Sequence, residues 1–251
     1  MEKVTTNKLQ TLKSQHQKIC MLTAYDYPFA RILDNAGVDI ILVGDSLGNV
    51  ALGYRNTLPV TMQEMIIHTQ AVARGVERAM VVADMPFGSY QKSADKALSN
   101  AIKLTKVGAE AVKIEGVEYF PAIKKMIKAG IPVMGHLGLT PQSIHKFGTY
   151  VVRATTEEEA NKLLADAHIL ADSGCFAIVL EKIPAKLGEQ VAKEVNIPVI
   201  GIGAGKNVDG QVLVLHDMLG ITQEFSPRFL RRYHNLSEEV KGAVNSYIHD
   251  V

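Results

Sequence analysis

The stretch NAGVDIILVGD, residues 35–45, decides how this sequence folds, because it contains a helix end, a glycine, a short apolar run and a polar tip in that order. Gly37 suits the left-handed backbone conformation that closes a helix. The run that follows is apolar apart from Asp39, which is typical of a strand buried on both faces. Asp45 stands where that strand ends. The stretch therefore predicts a helix, a tight turn, a buried strand and an acidic strand tip.

The same order of features recurs three times, as KVGAEAVKIEG (106–116), KAGIPVMGHLG (128–138) and DSGCFAIVLEK (172–182). Similar apolar segments along the chain predict eight strands, at 19–24, 39–43, 79–83, 111–114, 132–135, 177–180, 198–202 and 219–222. Amphipathic helical segments lie between most of them. Asp26 is predicted to cap one of these helices, and Thr61 with Glu64 forms a capping box that opens another.

Eight strands that alternate with helices in about 250 residues predict an α/β fold, a (β/α)8 TIM barrel. A doubly wound parallel sheet is the alternative. No linker-like segment divides the 251 residues, so we expect one barrel domain over 1–251, with a short polar N-terminal segment and C-terminal helices.

The overall charge and composition exclude several classes of protein. The formal net charge of +1 gives no electrostatic footprint for nucleic acid or an anionic membrane surface. Two cysteines rule out a disulfide framework and fit a reducing compartment. The polar N-terminus lacks the apolar core of a signal peptide, and no apolar run is long enough to span a bilayer. We therefore expect a cytoplasmic protein.

Ionisable or polar side chains follow the predicted strands one after another. They are Asp26 after the first strand, Asp45 and Ser46 after the second, Asp84 after the third, Lys113 and Glu115 on the fourth, His136 on the fifth and Glu181 on the sixth. Lys113 and Glu115 are two residues apart, so they share one face of their strand. In a barrel these side chains converge on one mouth, where unpartnered carboxylates raise one another's pKa.

A bound cation would relieve this repulsion between carboxylates. Asp45, Asp84 and Glu115 offer hard oxygen ligands, which suit Mg²⁺ better than zinc. Lys113 supplies a positive charge for a substrate carboxylate, His136 is a donor or acid–base group, and Glu181 is a candidate base.

Two further motifs are open to more than one interpretation. The loop GIGAGKNVDG, residues 201–210, follows a strand and is predicted to precede a helix, so it could bind a phosphate. A tight barrel loop that needs glycine for its backbone conformation is an equally good interpretation. Cys175 lies beside a helix-ending glycine and is interpreted as buried filler rather than a nucleophile.

Long motifs of this chain resemble the ketopantoate hydroxymethyltransferase (3-methyl-2-oxobutanoate hydroxymethyltransferase) family. The resemblance covers about residues 21–222 and is carried by MLTAYDYPFA, VGDSLGNVALGYRNTLPVT, ADMPFGSY, GAEAVKIEG, GHLGLTPQS and GIGAGKNVDGQVLVLHD. It implies a barrel of the phosphoenolpyruvate/pyruvate type that uses Mg²⁺ and assembles as a homodecamer. It also implies transfer of a hydroxymethyl group from 5,10-methylenetetrahydrofolate to 3-methyl-2-oxobutanoate (2-oxoisovalerate), through a Mg²⁺-stabilised enolate. The product would be 2-dehydropantoate (ketopantoate), formed in the first step of pantothenate and coenzyme A biosynthesis.

The resemblance also implies roles for the residues at the strand tips. Asp45 and Asp84 would bind the metal directly, and Glu115 would bind it directly or through water. The oxoacid would contact Asp45, Ser46, Asp84 and Lys113, with His136 lining the same pocket. Glu181 would accept the proton.

The chain departs from the family pattern at two places. Gly116 and Val117 stand where the family has two glycines, and FGTYVVRATT, residues 147–156, replaces a GGY segment followed by a VQGR-like one. A loop over the mouth is expected after His136, in GHLGLTPQS, and these changes put its conformation in doubt. Two alternative functions stay open at this point: a Mg²⁺-dependent carbon–carbon lyase acting on another 2-oxoacid, and a non-catalytic barrel that binds a metal or an oxoacid.

Overall fold

The computed structural model describes residues 2–223 and 226–251, and its centre is a closed barrel of eight parallel strands. Each strand pairs with the next along the chain, and β1 closes the barrel against β8. The predicted (β/α)8 TIM barrel is thereby confirmed, and the doubly wound sheet is excluded. The strands are β1 Ile19–Thr23, β2 Ile40–Val43, β3 Met80–Asp84, β4 Ala111–Glu115, β5 Val133–Gly138, β6 Ala177–Glu181, β7 Val199–Ile202 and β8 Gly210–Leu213.

Helices precede, separate and follow the strands. They are α1 Thr6–Ser14, α2 Tyr27–Asn35, α3 Leu47–Val50, α4 Met62–Arg74, α5 Ala94–Lys106, α6 Phe120–Lys128, α7 Ile144–Phe147, α8 Glu157–Asp172, α9 Ala185–Glu194, α10 Leu215–Met218 and α11 Leu236–Asp250, with a 3-10 helix at Pro141–Ser143. The predicted caps are confirmed: Asp26 accepts a hydrogen bond from the Phe29 amide, and Thr61 and Glu64 form the capping box.

Alternation along the strands divides the core into two layers. One layer fills the inside of the barrel and contains residues such as Met80 and Val82 of β3 and Ala111 of β4. The other layer lies between strands and helices and contains their neighbours, such as Val81 and Val112. Because side chains alternate along a strand, residues two positions beyond an inward-facing residue also face inward. This rule carries the inward face up to the carboxyl ends of the strands.

The eighth strand is the one that the sequence misplaces. The segment 219–222, predicted as β8, contains no strand and follows helix α10, whereas β8 is Gly210–Leu213. Gly210 and the exposed Gln211 interrupt the apolar run, so the segment lacks the continuous hydrophobic pattern of a buried strand. The segment 201–210 therefore runs from the end of β7 to the start of β8. The expected helix after this loop is wrong, and with it the phosphate site at a helix N-terminus.

Two other features bear on the predictions. Cys175 is buried, and burial raises the pKa of its thiol to about 12. The interpretation of Cys175 as a buried core residue is confirmed. Within residues 2–223 and 226–251, no helix combines the length and apolarity that crossing a bilayer requires. The extent of the domain, 1–251, stays a prediction.

Candidate active site

Five ionisable side chains face into the barrel at the carboxyl ends of four neighbouring strands. They are Asp84 on β3, Lys113 and Glu115 on β4, His136 on β5 and Glu181 on β6. The strand register places Asp84 beside Lys113 and Glu115 beside His136. The prediction that these strand tips converge on one mouth is therefore confirmed for these five residues.

Lys113 lies among the acidic groups. Its Nζ atom is 3.0 Å from Asp84 Oδ1 and 4.0 Å from Glu115 Oε1. Burial lowers the pKa of Lys113, but the charges of Asp84, Glu115 and Asp45 have the larger, opposite effect, so the net shift of this pKa is upward. Lys113 therefore stays positively charged although it is buried.

Asp45 joins the cluster from the turn after β2. Its backbone amide donates a 3.0 Å hydrogen bond to Asp84 Oδ2, and its own carboxylate is buried. Burial raises the pKa of Asp45 well above its usual range, and the charges of Asp84 and Glu115 add to the shift. Burial also raises the pKa of Asp84, and Lys113 offsets part of that effect. Two adjacent carboxylates are therefore held where their negative charge is poorly compensated.

Ser46 lies beside this pair. A Cβ atom added to Gly44 would be 2.8 Å from Ser46 Oγ and 3.5 Å from Asp84 Oδ2, so both side chains close over that glycine. The Ser46 hydroxyl is 2.9 Å from the hydroxyl of Tyr25, a buried residue at the end of β1. Asp26, the next residue, is occupied as the cap of α2.

His136 connects the acidic cluster to Glu181. Its Nδ1 atom lies 3.2 Å from Glu115 Oε1 and 3.2 Å from Lys113 Nζ, and its Nε2 atom lies 3.4 Å from Glu181 Oε2. Burial and the charge of Lys113 lower the pKa of His136, but the interactions with Glu115 and Glu181 outweigh them and raise it to about 8. Burial raises the pKa of Glu115, but the hydrogen bond and charge of His136, together with Lys113 and the Gln142 amide, outweigh it, so the net shift is downward.

Glu181 is the most accessible of these carboxylates. Its side chain is 17% exposed, against 3% for Glu115. Its backbone carbonyl accepts a hydrogen bond from the Leu139 amide, and a Cβ added to Gly138 would clash with that carbonyl oxygen. Gly138 also has φ +91°, so a glycine is needed where β5 pairs with β6 beside Glu181. The backbone thus fixes Glu181 at the edge of the cluster, within reach of solvent.

The two departures from the family pattern lie after β4 and between β5 and β6. Val117 is buried in the layer outside the barrel. In the segment 147–156, the Arg153 amide donates to the carbonyl of Lys182, and Lys182 Nζ donates to the carbonyl of Tyr150 at 2.9 Å. The altered segment therefore folds back onto the residue that follows Glu181, and the cluster is assembled with both changes in place.

Sequence reasoning did not select Gln142, Tyr90 or Tyr25, although all three are buried at the mouth. Gln142 lies in the motif GHLGLTPQS, and its amide donates a 2.8 Å hydrogen bond to Asp45 Oδ2. These side chains are neutral, so the search for clustered charges at strand tips could not find them.

The carboxylates at the mouth differ from an all-protein metal cage. Among the residues that the structure describes, no three His, Cys, Asp or Glu side chains are arranged to hold a metal. Asp45 and Asp84 are adjacent, buried and poorly compensated, and Mg²⁺ usually takes one or two carboxylates and leaves its other positions to water and substrate. The site therefore fits Mg²⁺ better than an ion that needs an all-protein cage.

The fold and this site define a class: parallel (β/α)8 barrels with an acidic cluster at the carboxyl ends of the strands. A phosphoenolpyruvate phosphomutase from Streptomyces platensis subsp. rosaceus superposes with a TM-score of 0.65 at 14% identity, covering 97% of this chain and 86% of that one. A phosphonopyruvate hydrolase, solved with oxalate and Mg²⁺, superposes with a TM-score of 0.64 at 12% identity, covering 100% and 87%. These similarities concern the fold alone.

Sequence comparison identifies the family. The ketopantoate hydroxymethyltransferase family model matches residues 3–251. Two proteins named 3-methyl-2-oxobutanoate hydroxymethyltransferase are similar over nearly their whole length: one from Phocaeicola vulgatus, 61% identical over 99% of this chain and 92% of that protein, and one from Cytophaga hutchinsonii, 60% identical over 100% and 93%. The chain belongs to the ketopantoate hydroxymethyltransferase family. The predictions of the family and of a hydroxymethyltransferase enzyme are confirmed.

Proposed function

We propose that this chain transfers a hydroxymethyl group from 5,10-methylenetetrahydrofolate to 3-methyl-2-oxobutanoate, giving 2-dehydropantoate in the first step of pantothenate and coenzyme A biosynthesis. The observation that carries the proposal is the position of Glu181, an accessible carboxylate, at the edge of a buried cluster of Asp45, Asp84 and Lys113. A proton must leave C3 of the oxoacid, and the acid group must be held. The cluster provides groups suited to both tasks.

Asp45 and Asp84 are the proposed ligands of a Mg²⁺ ion, with Glu115 binding directly or through water. When bound, the ion would act as a Lewis acid toward the 2-oxoacid and as a template for its orientation. Burial raises the pKa of Asp45 and of Asp84, and a cation here would favour the charged form of both carboxylates.

The remaining residues have distinct proposed roles. Lys113, buried and positively charged, binds the substrate carboxylate together with Ser46. Glu181 removes the proton from C3, and the electron pair left on the substrate forms the new carbon–carbon bond to the methylene carbon of the folate. Water replaces the folate nitrogens on that carbon, which gives the hydroxymethyl group and releases tetrahydrofolate. His136, with Nε2 3.4 Å from Glu181 Oε2, orients that carboxylate and lines the substrate pocket.

Deuterium exchange at C3 tests the role of Glu181. In D₂O with Mg²⁺ and without the folate, we expect Glu181→Gln to lower the exchange rate by about 10²–10⁴-fold, the usual contribution of a general base. Mg²⁺-dependent binding of the oxoacid, measured by calorimetry, should persist. Glu189→Gln, the same change at a surface residue paired with Lys193, serves as the matched control. Exchange at the parent rate in Glu181→Gln would remove Glu181 from the mechanism.

Adding 5,10-methylenetetrahydrofolate separates the alternatives. We expect the parent protein to form 2-dehydropantoate in that assay. Exchange or cleavage without this product would favour a lyase, and binding without exchange would favour a non-catalytic barrel. A homodecameric, cytoplasmic enzyme is part of the proposal, and light scattering of the purified protein tests the number of subunits.

A further inference from the structure

Gln142 is hydrogen-bonded to the acidic cluster through both its side chain and its backbone. It lies in the 3-10 helix after β5 and is buried. Its Nε2 atom donates to Asp45 Oδ2 at 2.8 Å and to the carbonyl of Met85 at 2.9 Å. Its backbone amide donates to Glu115 Oε2 at 3.0 Å. One residue therefore contacts two of the three carboxylates proposed to hold the metal.

The surroundings of Gln142 determine which way its amide points. The carbonyl of Met85 only accepts hydrogen bonds, so the amide atom that faces it must be the nitrogen. On the other side, Gln142 Oε1 lies 2.7 Å from the Tyr90 hydroxyl, which accepts from the Glu115 amide and so has its hydrogen available to donate. Both amide hydrogens are thus committed, one of them to Asp45.

We propose that Gln142 is a positioning residue: it locks the Asp45 carboxylate in the orientation that binds Mg²⁺ and ties the loop after β5 to the acidic cluster. The hydrogen bond to Oδ2 fixes the rotamer of Asp45, and the bond to the Met85 carbonyl fixes the position of the donor. The bond from the Gln142 backbone to Glu115 connects the same loop to the second carboxylate. Without Gln142, Asp45 would face Asp84 and Glu115 with one fewer donor.

This inference rests on the proposed function, because it takes Asp45 to be a metal ligand. The test uses Mg²⁺ alone, titrated into the purified protein by calorimetry, and needs no turnover. Gln142→Met keeps the length of the side chain and removes the donors. We expect its Kd for Mg²⁺ to rise about 10- to 100-fold, as when a residue that orients a metal ligand is lost. Should Gln142→Met fail to unfold cooperatively in urea, Gln142→Asn replaces it, since its shorter amide cannot span Asp45 and Met85.

Tyr90→Phe is the matched control, because it breaks the same buried network on the Oε1 side and leaves both Nε2 hydrogen bonds in place. We expect this variant to lose stability in urea and to keep the parent's affinity for Mg²⁺. Asp45→Asn is the reference for loss of the ligand itself. Affinity lost in Asp45→Asn but kept in Gln142→Met would overturn the inference alone. Mg²⁺ affinity kept in both variants would overturn the proposed metal site as well. Equal losses of Mg²⁺ affinity in Gln142→Met and Tyr90→Phe would show that Gln142 contributes only packing.

Discussion

The two ends of the barrel treat buried carboxylates in opposite ways. At the amino end, Asp34 of α2 accepts hydrogen bonds from the backbone amides of Glu77, Arg78 and Ala79, just before β3. Burial raises the pKa of Asp34, but these backbone hydrogen bonds have the larger, opposite effect, so the net shift is downward. At the carboxyl end, the pKa of Asp45 is raised instead.

Ion pairing differs between the two ends in the same way. At the amino end, Arg78 pairs with Asp39 at 2.9 Å and Lys13 pairs with Asp209 at 2.7 Å, one cation to one anion. At the carboxyl end, Asp45, Asp84 and Glu115 share the lysine charge of Lys113, with His136 beside them. The amino end is arranged for stability, whereas the carboxyl end keeps an excess of negative charge that a bound cation would compensate.

The largest expected effect comes from removing Lys113. Lys113→Met should lower the free energy of unfolding of the metal-free protein by about 3–5 kcal/mol, because it leaves buried carboxylates without their cation. Lys13→Met removes a cation at the amino end, where Asp209 keeps a hydrogen bond from the Val199 amide, so the loss should be smaller. Urea unfolding in EDTA measures both values.

Mg²⁺ sharpens this comparison between the two lysines. If a divalent cation binds at the mouth, adding Mg²⁺ should reduce the loss of unfolding free energy caused by Lys113→Met. The loss caused by Lys13→Met should stay unchanged. Equal losses for the two variants in EDTA would contradict the idea that the two ends differ in charge balance.

A smaller loss is expected at Asp34. Asp34→Asn should lower the free energy of unfolding by about 1.5–3 kcal/mol, the range for hydrogen bonds to a charged group, because the new NH₂ group would face backbone N–H donors. The folded-state pKa of Asp34 is lowered, so its stabilisation is present above the unfolded-state pKa of about 3.9 and is lost as the pH falls through the lower folded value. The deficit of the variant, measured in urea at several pH values, should therefore shrink in acid.

Asp95→Asn provides the control for Asp34. The Asp95 side chain is 84% exposed and pairs with Lys125 on the surface, so its loss should change stability little at any pH. A deficit of Asp34→Asn that persists unchanged in acid would indicate that packing, rather than its charge, explains the effect.

The sequence predicts the charges at the mouth well, because their positions follow from two local rules. A strand buried on both faces is a short apolar run, and the residue that ends it is polar; Asp84 and Glu181 satisfy both rules. Gln142 could not be found this way, since its role depends on Met85 and Tyr90, distant in sequence and brought near by the barrel. β8 escaped for the opposite reason: with its exposed Gln211, it breaks the rule that the other strands obey.

The smallest expected effect has the opposite sign and separates the two ends of the barrel most directly. Asp45→Asn should raise the free energy of unfolding of the metal-free protein at neutral pH, by about 0.5–2 kcal/mol, the usual gain when one unfavourable group is replaced. The folded-state pKa of Asp45 lies above the unfolded value of about 3.9, so the native protein binds more protons in that window and loses stability as the pH rises through it. The variant's advantage should be full above the window and shrink as the pH falls toward 3.9, where Asp45 is protonated in the folded parent. Saturating Mg²⁺ should reverse the order, because only the parent keeps the proposed ligand. An Asp45→Asn protein less stable than the parent in EDTA at neutral pH would place Asp45 with Asp34, among the carboxylates that hold the fold together.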